Sequence, residues 1–412
     1  MASTNLTATT SPFHWKYLSE GAATIVFTYT GPPNECFHDK VLRVRKGAAP
    51  EDEQNSVLFQ TKIISRLLPQ EHLVNVEQVS LLSKSWLETL ANLCAEKRPK
   101  WRTDSIDLSR NKGLLAPNLV LCPISVEIKP KWSFLKPQTT QACRFCMHAA
   151  CRGRATSYCP LDLFSSSPAR VKKAIYALYD CWAAGDPAQN NFRLFINGMV
   201  SPPGTHNLQA ILQRSGILSD PPILGEGELR DLVVETLHSV LVQPKAFSLL
   251  KTLNCLQRTL DGVGIQRLAS LWTKVHEKSS LNSIPSFGQG CLQPTTDDWH
   301  SFVNEYLKRQ NGPLPHTSNE ESALQYQLLS YLLSATFKDC SIMIMLPGLL
   351  FEDKSELSTF SPRITVIDLD TKPIHSLQKW IDQDFDIVQK YSEFKDNEKK
   401  QCSDDWDLQH LQ

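Results

Sequence analysis

The chain has 412 residues, with 43 Lys and Arg against 43 Asp and Glu, 41% hydrophobic and 21% charged residues. This neutral, ordinary globular balance excludes general disorder and a uniformly basic or acidic polyelectrolyte. No apolar run approaches the ~20 residues that cross a bilayer, MASTNLTATTSP lacks the features of a secretory signal, and the twelve cysteines read as reduced thiols of a soluble nuclear or cytoplasmic protein.

Residues 25–29 (IVFTY) and 40–45 (KVLRVR), with GPPNE between them, predict a β-hairpin. Over 51–97 the spacing is helical, carried first by Leu58, Ile63, Ile64, Leu67 and Leu68. The apolar run 118–129 (NLVLCPISVEIK) predicts one or two strands. Ser167 followed by Pro168 is a helix start, and Val171, Ala174, Ile175, Leu178 and Trp182 continue it at helical spacing. Residues 192–196 predict a strand closed by the tight turn Asn197-Gly198. The stretch 200–330 is punctuated by proline, mostly helical in pattern, and carries no motif. Two apolar strands, 341–346 and 364–369, flank a polar loop, and a helix from about Ser376 to Tyr391 precedes a charged tail. A strand-rich front and a longer mixed back predict an α+β fold of two lobes around a cleft, divided into 1–122 and 123–412.

Zero net charge hides an asymmetry: ten basic residues stand against three acidic ones between 129 and 193. Lys129 and Lys131 alternate in EIKPK at the end of an apolar strand. Two lysines there are costly to bury without an anion, and a phosphorylated ligand supplies one. Asp339 precedes one C-terminal strand and Asp368 follows the other. Carboxylates on neighbouring strand ends can divide the work of base and metal ligand, or serve as turn residues.

With these features in place, a family resemblance emerges. VEIKPKWSFL (126–135), CRFCMH (143–148), YCPLDLFS (158–165), NNFRLFING (190–198), FKDCSIMI (337–344) and VIDLDTKP (366–373) resemble inositol-pentakisphosphate 2-kinases in order and spacing. SEGAAT (19–24) and KVLRVRK (40–46) are similar to that family's nucleotide-binding front, and KRPKWR (97–102) to its short basic element. The resemblance implies a protein-kinase-like two-lobed fold with an inositol-phosphate-binding extension in the second lobe. It implies transfer of a phosphoryl group from ATP to the 2-hydroxyl of inositol 1,3,4,5,6-pentakisphosphate, giving inositol hexakisphosphate (phytate). The expected protein is a monomer without a nucleic-acid partner.

Phosphoryl transfer needs positioning and charge neutralisation. By resemblance, Asp339 is the base, Lys129 joins it in the catalytic set, and Asp368 holds Mg²⁺ with Asp370 assisting. The implied nucleotide set is Glu20, Gly21, Ala22, Ala23, Thr24, Arg43, Glu127 at the ribose and Arg193, with 116–119 beside adenine; Lys40 or Arg45 could face the cleft in place of Arg43. A ligand with roughly ten negative charges must be held by Lys and Arg with short polar donors between them. The implied substrate set is Arg102, Lys129, Lys131, Arg152, Asn190, Asn191, Lys372 and Trp380. Two positions depart from the family: Ser376 replaces an arginine and Trp380 a tyrosine, with Lys379 as the substitute cation.

Cys143, Cys146, His148, Cys151 and Cys159 put five soft ligands within seventeen residues, at spacing suited to tetrahedral zinc. The ligands expected are Cys143, Cys146, His148 and Cys159, with Cys151 as the alternate fourth, tying EIKPK to YCPLDLFS. The competing reading is a set of small buried hydrophobes on a helix. Two other functions compete with the kinase: an inactive inositol-phosphate-binding scaffold, and a zinc-containing polyanion- or nucleic-acid-binding protein. The set Asp339, Asp368 and Lys129 disfavours the first, and the neutral total charge the second.

Overall fold

A computed structural model describes residues 5–21, 23–47, 53–81, 83–135, 141–154, 156–185, 190–204, 208–217, 224–278, 285–310, 320–349 and 361–405. The front of the chain gives α1 (Leu6–Thr9), β1 (Trp15–Glu20), β2 (Thr24–Tyr29), β3 (Lys40–Arg45), α2 (Glu53–Lys62), β4 (Glu77–Ser80), α3 (Lys84–Ala95) and β5 (Lys112–Pro117). Its strands form one antiparallel sheet in the order β1-β2-β3-β5-β4. The β2–β3 hairpin pairs Ile25 with Val44 and Phe27 with Leu42, as its β-branched and aromatic residues demand. Alternate side chains such as Ile25, Phe27, Leu42 and Val44 pack against Trp86, Leu87 and Leu90 of α3 in a core of their own.

The back of the chain begins with β6 (Ile124–Ile128), α4 (Arg144–Cys151), α5 (Pro160–Leu163), α6 (Pro168–Ala183), β7 (Phe192–Ile196) and β8 (Met199–Val200). Five helices follow: α7 (Leu208–Arg214), α8 (Glu226–Leu241), α9 (Pro244–Leu260), α10 (Ile265–Glu277) and α11 (Thr296–Gln310). The chain then forms α12 (Glu320–Asp339), β9 (Ser341–Leu346), β10 (Arg363–Ile367) and α13 (Leu377–Ser392). The second sheet runs β10-β9-β6-β7-β8, antiparallel throughout. β6 and β9 are buried along their whole length, which explains their mostly apolar sequences, with Ser125, Glu127 and Ser341 as buried polar exceptions. Ile128, Leu194 and Ile344 belong to a large core shared with α6, α8, α9 and α12.

Several sequence expectations change in detail. The run 118–129 is a strand only over 124–128; the segment before it connects the sheets, with the Asn118 amide donating to Thr28 Oγ1 at 2.8 Å. The helical stretch 51–97 is interrupted by β4. Ser167 and Pro168 do begin α6, although the Ser167 side chain makes no capping hydrogen bond. Asn197 and Gly198 take φ of 45° and 81°, the left-handed values that a two-residue β7–β8 turn requires. Phe59, Ile63, Ile64, Leu67 and Leu68 precede residue 122 yet join the large core, so the front of the chain is anchored on the back. An isolated bridge from Leu73 to Val366 reinforces this anchor. No helix among the described residues is long and apolar enough to cross a membrane.

Candidate functional site

Two small apolar clusters face one another across a cavity of about 350 Å³ between the sheets. Val41 and Ala116 come from the front sheet and Val76 from the residue before β4, while Phe195 and Met343 come from the back sheet and Val120 from the segment that connects the two. The strip 116–119 lines this slot, as do Gly21, Thr24, Arg43, Arg193 and Asp370. A flat apolar slot rimmed by polar groups is the form of a small-molecule site. Ala22 lies outside the described residues, and Ala23 is exposed. Glu20 is otherwise engaged: its carboxylate is 1% exposed and accepts from Lys46 Nζ at 2.9 Å and from both arms of Arg98. Burial pushes the Glu20 carboxyl up, but Arg98 and Lys46 outweigh it and hold the carboxyl below the usual range, while the residue also lines the slot.

At the mouth of the slot, antiparallel pairing of β9 with β10 matches Ser341 to Ile367 and brings Asp339 and Asp368 to the same sheet edge. Asp368 has φ of +61°, a strained backbone that points to an over-determined site. Its Oδ2 accepts from Lys129 Nζ at 2.9 Å and from Ser341 Oγ at 3.1 Å. Burial pushes the Asp368 carboxyl up, but the charge and hydrogen bond of Lys129, with Arg43 and Ser341, hold it below the usual range. Glu127 faces inward: it accepts from Ser341 Oγ at 2.8 Å and pairs with Lys129 at 3.5 Å and Arg193 at 3.3 Å. It also lines the slot between the sheets. Asp370 lines the same slot. It accepts from Ser56 Oγ at 2.9 Å and Arg43 Nη2 at 3.5 Å, binding front to back.

Beyond Lys129 the slot meets a second depression through Asn190, which lines both cavities. This basic region comprises adjoining cavities of about 370 and 300 Å³ that share Lys131, Trp132, Arg144 and Gln383. The first adds Arg152, Arg154, His148 and Asn191, and the second adds Asp339, Lys372 and Trp380. Asp339 accepts from Lys372 Nζ at 2.7 Å and lies 3.7 Å from Lys131 Nζ. Burial raises its pKa, yet Lys372, Lys131 and Lys129 outweigh burial and hold it low. Burial pushes the Lys131 ammonium down, and Lys129 and Lys372 add to that against the pull of Asp339. The pocket thus holds more positive charge than its carboxylates neutralise, and an incoming polyanion supplies the rest.

The predicted substrate set is therefore gathered around the basic cavities, except for Arg102 and Lys129, which line the slot. Lys379 is exposed and absent from the lining, because Trp380, Gln383 and Asp384 at helical spacing are the α13 residues that face the cavity. Trp132, Arg144 and Arg154 escaped the sequence reading. The signal for Arg144 was available, since Arg144, His148 and Arg152 are spaced four apart on one face of α4.

The cysteine cluster also requires a correction. Cys143 and Cys159 precede α4 and α5, Cys146 lies one turn into α4, and their sulfurs gather with that of Cys402 within 4.8 Å of one another. His148 is not in this group. Its ring faces the basic cavity, where burial and then Arg152, Arg144 and Arg154 push its pKa down to about 4. Cys151 points elsewhere, donating to the Ile387 carbonyl at 3.6 Å. The Cys143–Cys159 sulfur separation is 3.8 Å. A tetrahedron with Zn–S of ~2.3 Å has edges of ~3.8 Å, so these four residues fit zinc without rearrangement of that pair.

The profile of the family described as Inositol-pentakisphosphate 2-kinase matches residues 17–386. A protein of that name from Cryptococcus neoformans var. neoformans serotype D is 30% identical, over 95% of this chain and 97% of its own. Namesakes from Arabidopsis thaliana and Danio rerio are each 25% identical over 92% of this chain, covering 93% and 92% of their own lengths.

Proposed function

This chain belongs to the inositol-pentakisphosphate 2-kinase family and is an inositol phosphate kinase, and from that premise we propose its reaction and the residues that carry it out. ATP occupies the slot between the sheets, with adenine between the two apolar clusters and its phosphates directed at Arg43, Lys129 and Arg193. Inositol 1,3,4,5,6-pentakisphosphate occupies the basic cavities, held by Lys131, Arg144, His148, Arg152, Asn190, Asn191 and Lys372. Trp380 closes one wall in the place of the family's tyrosine. The substrate 2-hydroxyl attacks the γ-phosphorus; a new P–O bond forms, the bond to the β–γ bridging oxygen breaks, and ADP departs. Asp339 accepts the hydroxyl proton. Lys129 neutralises charge on the transferred group. Asp368 is the residue that would hold Mg²⁺, whose chemistry there is charge neutralisation at the phosphate oxygens.

The observation that carries this reading is the junction. An apolar slot carrying Lys129 and Asp368 and a cation-rich region carrying Asp339 meet at Asn190, whose neighbour Asn191 bonds the Lys129 backbone. We further read the two sheets, each with its own core, as the lobes of a protein-kinase-like fold, with the boundary near residue 122. We also assign a structural zinc ion to Cys143, Cys146, Cys159 and Cys402. A radiolabelled-ATP assay with the pentakisphosphate, resolved by anion exchange, tests the reaction. The expected product is a hexakisphosphate, formed ~10²–10⁴-fold more slowly by Asp339→Ala with pentakisphosphate affinity retained. Binding of both ligands without turnover by the unmodified protein would identify an inactive scaffold.

A further inference from the structure

The helical stretch 200–330, which carries no sequence motif, supplies a side chain that touches both halves of the substrate site. Gln257 on α9 is completely buried, and every hydrogen-bonding position of its amide is used. Its Oε1 accepts from the Ser133 backbone N–H at 2.9 Å and from Ser133 Oγ at 3.1 Å. Its Nε2 donates to the Lys131 carbonyl at 3.2 Å and to the Phe337 carbonyl at 3.0 Å. The first three contacts grip the turn that carries Lys131. The fourth satisfies a carbonyl in the last turn of α12, where helices leave such groups orphaned, two residues before Asp339.

That turn needs holding. Lys131 has φ of +67°, a left-handed value that a non-glycine residue keeps only when its surroundings enforce it. Asn254, one turn before Gln257 on α9, and Arg258, four residues after Asn254, complete the grip. Asn254 Nδ2 donates to the Ser133 carbonyl at 2.7 Å, and Arg258 Nε donates to Asn254 Oδ1 at 2.6 Å. Ser133 and Asn254 are buried. In so dry a place each lost partner leaves a polar group unsatisfied, so the network has one arrangement rather than many.

We propose that Gln257 is a positioning residue for phosphoryl transfer: by clamping the Lys131 turn to the end of α12, it sets the distance between Lys131 and Asp339, 3.7 Å here, and with it the site of the inositol ring. This rests on the reaction proposed above. Gln257 touches no ligand, and its effect passes through the two backbones it joins.

The test compares Gln257→Glu, which keeps the shape but cannot make both donations, with Ser330→Ala. Ser330 also bonds across the α9–α12 contact, to the Leu260 carbonyl at 2.8 Å, but does not touch the Lys131 turn. Both proteins are assayed per folded molecule, with pentakisphosphate and ATP affinities measured separately by calorimetry. Gln257→Glu is expected to lose about 100-fold in kcat/KM for the pentakisphosphate, the cost of a ~1 Å misplacement. Its pentakisphosphate Kd rises while its ATP Kd stays within about twofold, and Ser330→Ala keeps normal kinetics despite a lower Tm. A Gln257→Glu enzyme with unchanged pentakisphosphate Kd and kcat overturns the proposal, as does an equal loss in Ser330→Ala. If Gln257→Glu does not fold, Asn254→Ala replaces it, with the same ligand-selective loss expected and its absence equally decisive. Turnover by the unmodified protein decides the underlying reaction on its own; the ratio of variant to unmodified Kd decides the positioning.

Discussion

Asp339, the proposed base, is held ionised by its neighbours rather than by its own chemistry. Burial alone raises a carboxyl pKa, and Lys372, Lys131 and Lys129 reverse that shift. A carboxyl whose folded pKa is lowered gives stability above its unfolded pKa and loses it as pH falls through the folded value. Asp339 is accordingly ionised throughout the neutral and mildly acidic range. Lys372→Met removes the cation with the strongest lowering effect and leaves burial to act. The acid limb of kcat/KM is then expected to move to higher pH, and the pentakisphosphate KM to rise about tenfold, the worth of one charge-assisted hydrogen bond. A pH–rate profile checks this, and an unmoved acid limb would show that Lys372 does not tune the base. At this scale the sequence was most legible where a charged residue flanks an apolar strand: Lys129 and Asp368 directly follow β6 and β10, and Asp339 stands two residues before β9. It was least legible where a residue acts from a distance. Cys402 is a lone cysteine in a polar tail, and Gln257 is one more glutamine on an amphipathic helix. Only the fold makes them neighbours of Cys143 and Lys131.

Among elements, the C-terminal tail does work that no local pattern announces. Its Cys402 N–H donates to the Gln141 carbonyl at 2.7 Å, its Lys400 ammonium reaches the Thr156 and Tyr158 carbonyls at 3.2 Å, and Asp404 accepts from the Leu135 N–H at 3.0 Å and pairs with Arg258. The tail, the start of α4 and the start of α5 thus converge on four sulfurs. Structural zinc sites contribute folding free energy directly, so losing a ligand is expected to cost both metal and stability. Cys402→Ser should lower zinc content from about one ion per chain and lower Tm. His148→Ala should keep the zinc and instead weaken pentakisphosphate binding, because His148 lines the basic cavity. Elemental analysis beside thermal melting separates the two, and zinc lost from His148→Ala rather than Cys402→Ser would reverse the assignment. The strands follow the same logic of visibility. β6, β7 and β9 were readable because burial makes them largely apolar, and β2, β3 and β10 because they are rich in β-branched and aromatic residues. β1 and β4 were not, since WKYLSE and EQVS are largely half-exposed and take their strand form from pairing with neighbours.

Across the whole molecule, neutrality and a strong local field coexist because the charge is sorted. The chain has formal net charge zero, yet Lys131, Arg144, Arg152, Arg154 and Lys372 line the adjoining basic cavities. The slot between the sheets mixes signs, with Arg43, Arg102, Lys129 and Arg193 near Glu127, Asp368 and Asp370. Focused fields of one sign capture a polyanion and are weakened by salt, whereas an apolar slot with paired charges is held mainly by contacts that salt does not screen. The two proposed ligands should therefore respond differently to ionic strength. As the Debye length shrinks from ~10 Å at 0.1 M to ~3 Å at 1 M KCl, pentakisphosphate affinity should fall by at least about tenfold and ATP affinity by less than about threefold. Separate titrations with each ligand at both salt concentrations measure the contrast. Equal salt dependence would mean that the sorted charge does not distinguish the ligands and that both depend on the junction between the cavities. A steeper dependence for ATP would exchange the two cavities' occupants. The sorting also explains why overall composition pointed to no polyanion: basic residues gathered around one cleft are offset by acidic groups such as Glu226, Glu228, Asp382 and Asp386 on surface helices.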